Sequence, residues 1–388
     1  MHLCTTVPLI TLALVKCHAL TPKRVLVVGG SGRVGASTVR WIDRLATEQL
    51  PVELAIGGRR RASFDAAAKR LGAKGVDAIK FVQLDLDDAA SLERAVAGRS
   101  LVVHTAGPFQ QRTDPTLLKA CIDAGVPYCD VCDELELSRA AKKLTSHCDV
   151  PAVISCGIWP GASALLAARA AERLGKPLDD LEFSFFTSGT GGAGPTIVSA
   201  TFLLLCTPAA VYADGELVMK EPWTEKRTAA FGPGIGERDV YLLDNPDVPT
   251  CAEALGARSA SSSFGTAPAF WNDLFGAMKL LPRSLLADRG AMQNLADFSM
   301  PIIRAVDALV GGVNAMRVDA RAADGAAVTL RVAHGDLEDC VGQATAAFGM
   351  ELLRGGVAPG CWYPAELPVA ARDRILAVVE EGAIVWEA

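Results

Sequence analysis

Between Val25 and about Cys156 the chain alternates short apolar runs with stretches in which apolar residues recur at helical spacing. Continuous apolar runs of this length are typical of strands buried on both faces, and the amphipathic stretches between them are typical of crossover helices. The pattern predicts an α/β fold with a doubly wound parallel sheet. Its six strands are predicted at Val25–Val28, Val52–Ile56, Ile79–Leu84, Leu101–His104, Val126–Val131 and Ala152–Cys156.

The second half of the chain is less regular. A strand at Leu181–Thr187 precedes a glycine-rich loop, and an apolar helix follows at Thr196–Leu205. Residues 206–269 are rich in Pro, Gly and Ser, which predicts long connections with few short strands. The remaining predictions are a helix from Ala269 to about Leu309 interrupted at Pro282 and Pro301, a hairpin of Met316–Ala322 with Ala326–His334, a helix at Ala371–Glu381 and an edge strand at Ala383–Trp386.

The chain has 388 residues, a formal net charge of −6 and a hydrophobic fraction of 50%. Its length predicts two domains with enough buried apolar surface to need neither disulfides nor metals. The acidic balance argues against a nucleic-acid partner, because such a surface needs clustered and unopposed cations. The only dense basic cluster is Arg59–Arg61.

Eleven cysteines, scattered and odd in number, predict reduced and mostly buried thiols rather than a disulfide framework. Cys129 and Cys132 have the spacing of a zinc or redox pair, and His147, Cys148 and Cys156 follow. Cys129 lies within a predicted buried strand, however, and no second pair completes a ligand set. We therefore predict no metal site.

Residues 1–22 precede the first predicted strand and form a separate leader. Residues 7–15 make a short apolar run, and Cys17–Ala19 supplies the small residues that a signal peptidase recognises. The run is too short to span a membrane and lacks a positively charged start. The leader indicates a signal peptide for secretion or a plastid-targeting segment. A misassigned start codon, and hence a cytoplasmic protein, is the alternative.

The first predicted strand ends at a glycine-rich turn, Gly29–Gly35, which opens a helix. Gly30 is expected to form the tight turn, Gly32 to let the backbone approach a phosphate, and Gly35 to pack the helix on its strand. Backbone N–H groups at a helix start bind diphosphates, so the turn predicts a dinucleotide site. Its expected cofactor contacts are Gly30, Ser31, Gly32, Arg33, Val34 and Gly35.

The second βα turn distinguishes between the two nicotinamide dinucleotides. An NAD site carries an Asp or Glu at the end of the second strand, but this chain has Gly57 and Gly58 followed by Arg59 and Arg60. A guanidinium suits the 2′-phosphate of NADP because its planar donors engage two oxygens at once. The turn therefore predicts NADP(H), with solvation of a helix start by the arginines as the alternative.

Two further strand ends are expected to contact the cofactor. Asp85 follows the third strand and is expected to border the adenine, although an N-cap of the next helix would give the same pattern. After the fourth strand, Ala106 and Gly107 are expected to line the cofactor crevice, with Gly107 and Pro108 bordering the ribose and nicotinamide. His104 ends that strand, where a buried structural histidine is favoured over a proton donor.

These segments together resemble the saccharopine dehydrogenase-like NADP-binding family. The resemblance rests on the two glycine turns, on Ala106–Phe109, on Ala120–Asp130 and on Gly157–Ser163, and it extends over about residues 24–175. The tail at Gly360–Glu366 is also similar to the family's C-terminal segment. The resemblance implies a Rossmann domain, an inserted second α+β domain and an active cleft between them, with NADP(H) as cofactor.

With this resemblance the chain divides into four parts. After the leader come a Rossmann domain at residues 23–175, a substrate-binding α+β domain at residues 176–345 and a C-terminal segment at residues 346–388 that returns to the Rossmann domain. Relatives include reductases of imine adducts, enoyl reductases of lipid assembly and proteins without assigned chemistry. The resemblance implies an oxidoreductase that transfers hydride to or from a C=N, C=O or C=C bond of a small metabolite or lipid, and it leaves the substrate open.

No residue is unmistakably catalytic from the sequence. Asp133 and Glu134 follow the fifth strand, and by position they are expected to face the cleft as an acid or a charge partner. The alternative is that they cap the next helix. A short-chain dehydrogenase of standard mechanism is disfavoured because none of the four tyrosines has a lysine four residues later.

Two alternatives, about function and about association, stay open. A sensor that binds NADP without turnover is the alternative function. Lipid association through Thr196–Leu205 and Phe270–Leu281 is a further one, although core helices explain these segments more simply because neither can span a bilayer. A small-molecule substrate is the expected partner, and a homodimer is an open expectation.

Overall fold

Two β-sheets organise the chain, and the structure, a computed structural model, describes residues 20–71, 79–107, 109, 112–190 and 193–388. The strands of the first sheet are β1 (Lys23–Val28), β2 (Val52–Gly58), β3 (Lys80–Gln83), β4 (Leu101–His104), β5 (Tyr128–Asp130), β6 (Pro151–Val153) and β15 (Gly360–Trp362). They are all parallel, in the order β15-β6-β5-β4-β1-β2-β3. Residues 1–19 of the predicted leader and Pro108 lie outside the described residues.

Helices cover both faces of the first sheet. On one face lie α1 (Arg33–Leu45), α2 (Arg61–Leu71) and α12 (Leu337–Arg354), and on the other α3 (Ala89–Val96), α4 (Thr116–Asp123) and α5 (Leu135–Lys142). Alternate strand residues therefore enter different cores, as Val27 and Leu26 of β1 do. The predicted doubly wound α/β architecture is confirmed.

The second sheet is mixed. Its strands are β7 (Asp180–Ser188), β8 (Ala209–Ala213), β9 (Glu216–Lys220), β10 (Arg227–Ala230), β11 (Glu237–Leu242), β12 (Ser259–Ala267), β13 (Val313–Arg321), β14 (Ala327–His334) and β16 (Val385–Glu387). The main order is β10-β11-β12-β7-β13-β14-β16, and β8 connects β9 to β12. The remaining helices are α6 (Ala162–Leu174), α7 (Pro195–Leu204), α8 (Asp247–Leu255), α9 (Phe270–Met278), α10 (Arg283–Leu286), α11 (Arg289–Val310) and α13 (Val369–Glu380).

The prediction for residues 206–269 was wrong, because this region holds the strands β8 to β12 and the helix α8. β12 was missed because its serine-rich sequence lacks alternating apolar residues, yet it pairs with three strands and is largely buried. Small residues are required where neighbouring backbones come close: a Cβ on Gly265 would overlap the Asp239 carbonyl oxygen.

Pro301 does not interrupt the helix in which it lies. It is exposed within α11, on the face turned away from the core. Water can therefore hydrogen-bond to the backbone carbonyl that a proline leaves without its helical donor.

The two apolar segments considered for lipid association, Thr196–Leu205 and Phe270–Leu281, differ in exposure. Phe202 and Leu203 of α7 are buried, as expected of a core helix, whereas Phe270 and Leu280 are 50% and 88% exposed. The core explanation therefore applies to α7 and to only part of Phe270–Leu281. Within the described ranges, no helix combines the length and the hydropathy that crossing a bilayer requires.

Three parts of the chain pack across the domain boundaries that were expected from the sequence. α6, placed before the boundary at residue 175, packs on β13 and β14 of the second sheet because its alanine- and leucine-rich surface is buried there. α12 extends across residues 345 and 346 and packs on α1 of the first sheet. The last segment reaches both sheets, because β15 pairs with β6 whereas β16 pairs with β14.

All nine cysteines that the structure describes are free thiols, and eight of them are buried. Cys129 lies inside β5 and Cys132 follows it. In the described part of the chain, no three His, Cys, Asp or Glu side chains come together as a metal site would require.

A half-buried polar junction holds α12 against α1. The Asp339 carboxylate accepts hydrogen bonds from the Ser37 hydroxyl at 2.7 Å and from the Trp41 indole N–H at 3.2 Å. One turn further along α12, a Cβ built on Gly342 would lie 2.5 Å from Ser37 Cβ and 2.7 Å from the Thr38 nitrogen. The two helices therefore touch at a position that only glycine allows.

We expect Gly342→Ala to lower the free energy of unfolding by about 1–3 kcal/mol, because the added methyl group has no room between α12 and α1. Urea denaturation of the full chain measures this. Gly276→Ala in α9 is the matched control: its Cβ would meet only the Trp223 ring, at 3.8 Å, so helix propensity should leave the protein equally stable or more stable. Equal stability of Gly342→Ala and the unmodified chain would contradict the described packing.

Candidate active site

The glycine-rich turn lies between β1 and α1. Gly29 has a φ of +81°, a left-handed conformation that favours glycine, and a Cβ there would lie 2.6 Å from the Ala106 nitrogen. Gly29 therefore forms the tight turn that the sequence analysis assigned to Gly30, whose own Cβ would meet Ile56 Cγ1 at 2.8 Å. A Cβ on Gly35 would overlap the Gly29 carbonyl oxygen, so Gly35 packs the helix onto the turn.

The start of α1 suits a diphosphate. Gly32 occupies the N-cap position and is exposed, so no side chain covers the first backbone N–H groups. The first turn contains no acidic residue that would neutralise the positive end of the helix dipole. The Arg33 side chain, 51% exposed, adds a cation at the same place. Ser31 and Val34 flank these two residues, so the predicted contacts of this turn are contiguous in space.

Arg59 and Arg60 follow β2 at the carboxyl edge of the first sheet, one strand away from the glycine turn. Both side chains are exposed, and neither forms an ion pair with another described residue. Arg61 differs, because its guanidinium bonds to the Asp65 carboxylate at 2.9 Å. Two guanidinium groups are thus available at the end of β2, where a 2′-phosphate would lie.

Asp85 follows β3 at the same edge of the sheet. Its carboxylate accepts a hydrogen bond from the Asp87 N–H at 3.2 Å, and it does not cap the next helix. Asp88 caps α3 instead, by accepting from the Ala90 N–H at 3.0 Å. The N-cap alternative for Asp85 was therefore wrong.

A cleft of about 480 Å³ opens beside the glycine turn and is lined from both sheets. On the first-sheet side it is lined by Gly32, Arg33, Val34, Gly35, Thr105, Gly107 and Phe109. The facing wall comes from β7, α7, β12 and the loop after β11, and its apolar members are Phe185, Ile197, Ala200, Leu204, Leu243 and Phe264. Trp159 also lines the cleft and packs on Phe185 with ring centres 5.2 Å apart.

The predicted catalytic candidates separate in the structure. Asp133 lines the cleft, whereas Glu134 does not and stands at the N-cap position of α5. The Glu134 side chain makes no capping hydrogen bond, but its position at the start of α5 agrees with the alternative that its charge favours the helix dipole.

His104 is a buried structural residue, as favoured, and it does not line the cleft. Its Nδ1 lies 3.0 Å from the Tyr128 hydroxyl, which donates a hydrogen bond to Asp130 Oδ2 at 3.0 Å. Burial, with a smaller contribution from the nearby Arg112 charge, lowers the pKa of His104 to about 3. A neutral imidazole behind the sheet cannot act as the proton donor of the cleft.

Several lining residues were missed by the sequence analysis. Trp159 and Pro160 fall in a segment that was noted for its resemblance but given no role. Asp244 and Asn245 follow β11, a strand that was not predicted. Glu338 is brought to the glycine turn by a contact across more than 300 residues of sequence, and no local signal marks it.

Glu338 joins three elements at the cofactor side of the cleft. Its carboxylate forms an ion pair with Arg33 and accepts a hydrogen bond from the Gly194 N–H at 2.9 Å. Burial raises the pKa of Glu338, and the Arg33 guanidinium partly offsets this effect. The glycine turn, α12 and the loop before α7 therefore meet at one carboxylate.

Two carboxyl groups after β11 have perturbed pKa values. Burial raises the pKa of Asp244, which lines the cleft, to about 6, although its carboxylate accepts a hydrogen bond from the Ala210 N–H at 2.9 Å. Burial also raises the pKa of Asp247 to about 7, and the Ser163 hydroxyl donates to that carboxylate. Asp247 thus fastens the loop that carries Asp244 to the first turn of α6.

Residues 25–154 match the family model described as the saccharopine dehydrogenase NADP binding domain. This domain belongs to the saccharopine dehydrogenase-like NADP-binding family. NADP(H) is accordingly its cofactor, and the predicted resemblance is confirmed. The glycine turn, the open helix start and the two arginines after β2 are compatible with that cofactor.

Among solved structures, apo saccharopine dehydrogenase (L-Glu forming) from Saccharomyces cerevisiae is similar over 92% of this chain and 97% of its own, with 16% identity and a TM-score of 0.62. This similarity shows that the two chains share a fold over most of their lengths. A variant of meso-DAPDH from Clostridium tetani, with 10% identity over 90% of this chain and 95% of its own, has a TM-score of 0.43. No curated protein sequence matches the chain significantly.

We expect Arg59→Ala to weaken NADPH binding by about tenfold or more while changing NADH binding by less than about twofold, because only NADPH carries the 2′-phosphate that a guanidinium would pair with. Fluorescence titration of both dinucleotides measures the two affinities. Arg94→Ala, which removes an exposed arginine from α3, controls for the loss of one positive charge. Equal affinity of the unmodified chain for both dinucleotides would contradict the role of Arg59.

We expect NADPH affinity to fall as the pH rises from the ordinary carboxyl range through the raised pKa of Glu338. The phosphates add negative charge beside this carboxylate, so binding favours its protonated form. Glu338→Gln should remove this dependence and tighten NADPH binding at neutral pH by about tenfold, which corresponds to roughly 1.4 kcal/mol of relieved repulsion.

Calorimetric titration at several pH values measures the effect of Glu338→Gln. Glu381→Gln is the matched control, since it also removes the acidic partner of an α1 arginine, Arg44, but is not part of the cleft lining. An unchanged pH dependence in Glu338→Gln would show that Glu338 does not face the bound phosphates.

Proposed function

We propose that this chain is an NADP(H)-dependent oxidoreductase that transfers hydride to or from a C=N, C=O or C=C bond of a small metabolite or lipid. One observation carries the proposal: the cleft of about 480 Å³ is lined by the glycine turn of the NADP-binding domain on one side and by an apolar wall of the second sheet on the other. A substrate on that wall would lie against the nicotinamide end of the cofactor.

The cofactor would be held along the carboxyl edge of the first sheet. In this proposal Gly30 to Gly35 hold the diphosphate, Arg59 and Arg60 the 2′-phosphate, and Asp85 the adenine end. Ala106 and Gly107 border the nicotinamide side, where Gly107 lines the cleft and Ala106 packs against Gly29. NADP(H) supplies the hydride chemistry when bound.

The protein's own contribution would be orientation and exclusion of water. Hydride transfer needs the reacting carbon held against the nicotinamide, and apolar walls with Phe185 and Leu204 would hold a substrate there without competing water. Asp133 is the proposed acid or charge partner, because it is the one catalytic candidate from the sequence that lines the cleft. Glu134 is a weaker candidate because it lies outside that lining.

The domain division follows the same proposal. We propose an NADP-binding domain at residues 23–175, a substrate-binding domain at residues 176–345 and a closing segment at residues 346–388, with the exceptions of α6, α12 and β16 described above. The substrate is proposed to be a small molecule, and the homodimer and the destination that the leader would specify remain proposals.

Consumption of NADPH tests the enzyme against the alternative of an NADP-binding sensor. Reduced nicotinamide absorbs at about 340 nm, and we expect this absorbance to fall when NADPH and the full chain are mixed with an imine, carbonyl or enoyl substrate candidate. Gly32→Val should abolish both binding and consumption because a side chain would occupy the diphosphate position, while the free energy of unfolding falls by no more than about 1 kcal/mol. Tight NADPH binding without consumption of any candidate would favour the sensor.

A further inference from the structure

The lining of the cleft carries an excess of negative charge. Its carboxylates are Asp133, Asp244 and Glu338, and its only cation among the described residues is Arg33, which is already paired with Glu338. Positions 108, 110–111 and 191–192, which the structure does not describe, are Pro, Gln and Gly in the sequence and add no charge. Among the described lining residues, the substrate wall therefore offers no cation that would neutralise a carboxylate or a phosphate of a ligand.

Asp244 is the charged group on the substrate wall itself. It follows β11 beside Leu243 and lines the cleft with Phe264 and Ser262 of β12. One oxygen of its carboxylate accepts from the Ala210 N–H, and no described cation forms an ion pair with it. The positive side chain that acts electrostatically on Asp244 is Arg139, whose guanidinium lies 3.5 Å from the Glu253 carboxylate and is thus directed to another carboxylate.

We infer that the cleft takes a substrate with a positively charged nitrogen on an apolar, carboxylate-free body, an iminium ion in the reductive direction and the corresponding amine in the oxidative one. This inference rests on the proposed function and names its substrate class. Asp244 would pair with the nitrogen, while Trp159, Phe185 and Leu204 would hold the apolar body. Burial raises the pKa of Asp244 and so disfavours its ionised form, and a cationic ligand beside it would stabilise that form.

The chemistry balances with NADPH as the only co-reactant. A hydride with its electron pair moves to the iminium carbon, the π-electron pair of the C=N bond becomes the lone pair of the nitrogen, and NADP⁺ is formed. The neutral amine then takes a proton from water. Asp244 transfers no proton in this step; it stabilises the positive nitrogen before transfer and the ammonium product afterwards, so it is a binding residue.

Binding to the NADP⁺-saturated full chain tests the charge preference without requiring turnover. The probes are 2-phenylpyrrolidine, its neutral isostere 2-phenyltetrahydrofuran, and proline, in which a carboxylate replaces the phenyl group. We expect the amine to bind about tenfold or more tightly than the isostere, and proline to bind more weakly than both. Tighter binding of the isostere or of proline would overturn the inference.

Asp244→Asn locates the effect, because asparagine keeps an acceptor for the Ala210 N–H but loses the charge. We expect the preference for 2-phenylpyrrolidine over the isostere to fall to about twofold or less, with an unchanged Kd for NADPH. Asp239→Asn, in the strand β11 that precedes Asp244, is the matched control, since its carboxylate pairs with Lys226 outside the cleft. A preference that survives in Asp244→Asn would overturn the assignment to this residue.

Turnover separates failure of the inference from failure of the proposed function. With NADPH, 2-phenyl-1-pyrroline should be reduced with a kcat/KM at least about 100-fold above that of 1-pyrroline-2-carboxylate or of butyrophenone, the carboxylate and neutral carbonyl probes. Faster reduction of butyrophenone or of the carboxylate would keep the oxidoreductase and overturn the substrate class. Selective amine binding without NADPH consumption by any candidate would keep the substrate class and overturn the enzyme.

Discussion

The cleft depends on the packing of α12 along α1. These helices lie more than 290 residues apart in sequence, and they touch closely enough that a Cβ on Gly342 would collide with Ser37. The Asp339 carboxylate satisfies three donors of α1 at this junction. Because α12 follows the hairpin of β13 and β14 directly, this junction connects the second sheet to the helix that begins at the glycine turn.

The helix α12 also places a negative charge beside the helix start that is predicted to bind the diphosphate. Glu338 lies in the first turn of α12, so the packing that forms the cleft also places a carboxylate against Arg33. The bridge from Arg33 through Glu338 to the Gly194 N–H connects the cofactor side to the loop before α7. Cofactor binding and the position of the substrate wall are therefore linked through one side chain.

Elements whose determining contacts are local could be predicted from the sequence. The six predicted strands of the first sheet and the turn at Gly29 to Gly35 depend on neighbouring residues, and their positions agree with the structure, whereas the seventh strand, β15, was not predicted. The predictions were wrong for β12, where small side chains replace the apolar alternation, and for the tight turn, which was assigned to Gly30. Asp244 and Glu338 could not be found because their surroundings are created by contacts between distant segments, which no local pattern encodes.

The last part of the chain has a consequence for the order of folding. β15 completes one edge of the first sheet and β16 one edge of the second, so both sheets wait for residues 360–387. A growing polypeptide can form the inner strands early, but one edge of each sheet lacks its last strand until these residues emerge from the ribosome. Both sheets therefore acquire a last strand from the same segment, so neither has its full set of strands before residues 360–387 have been synthesised.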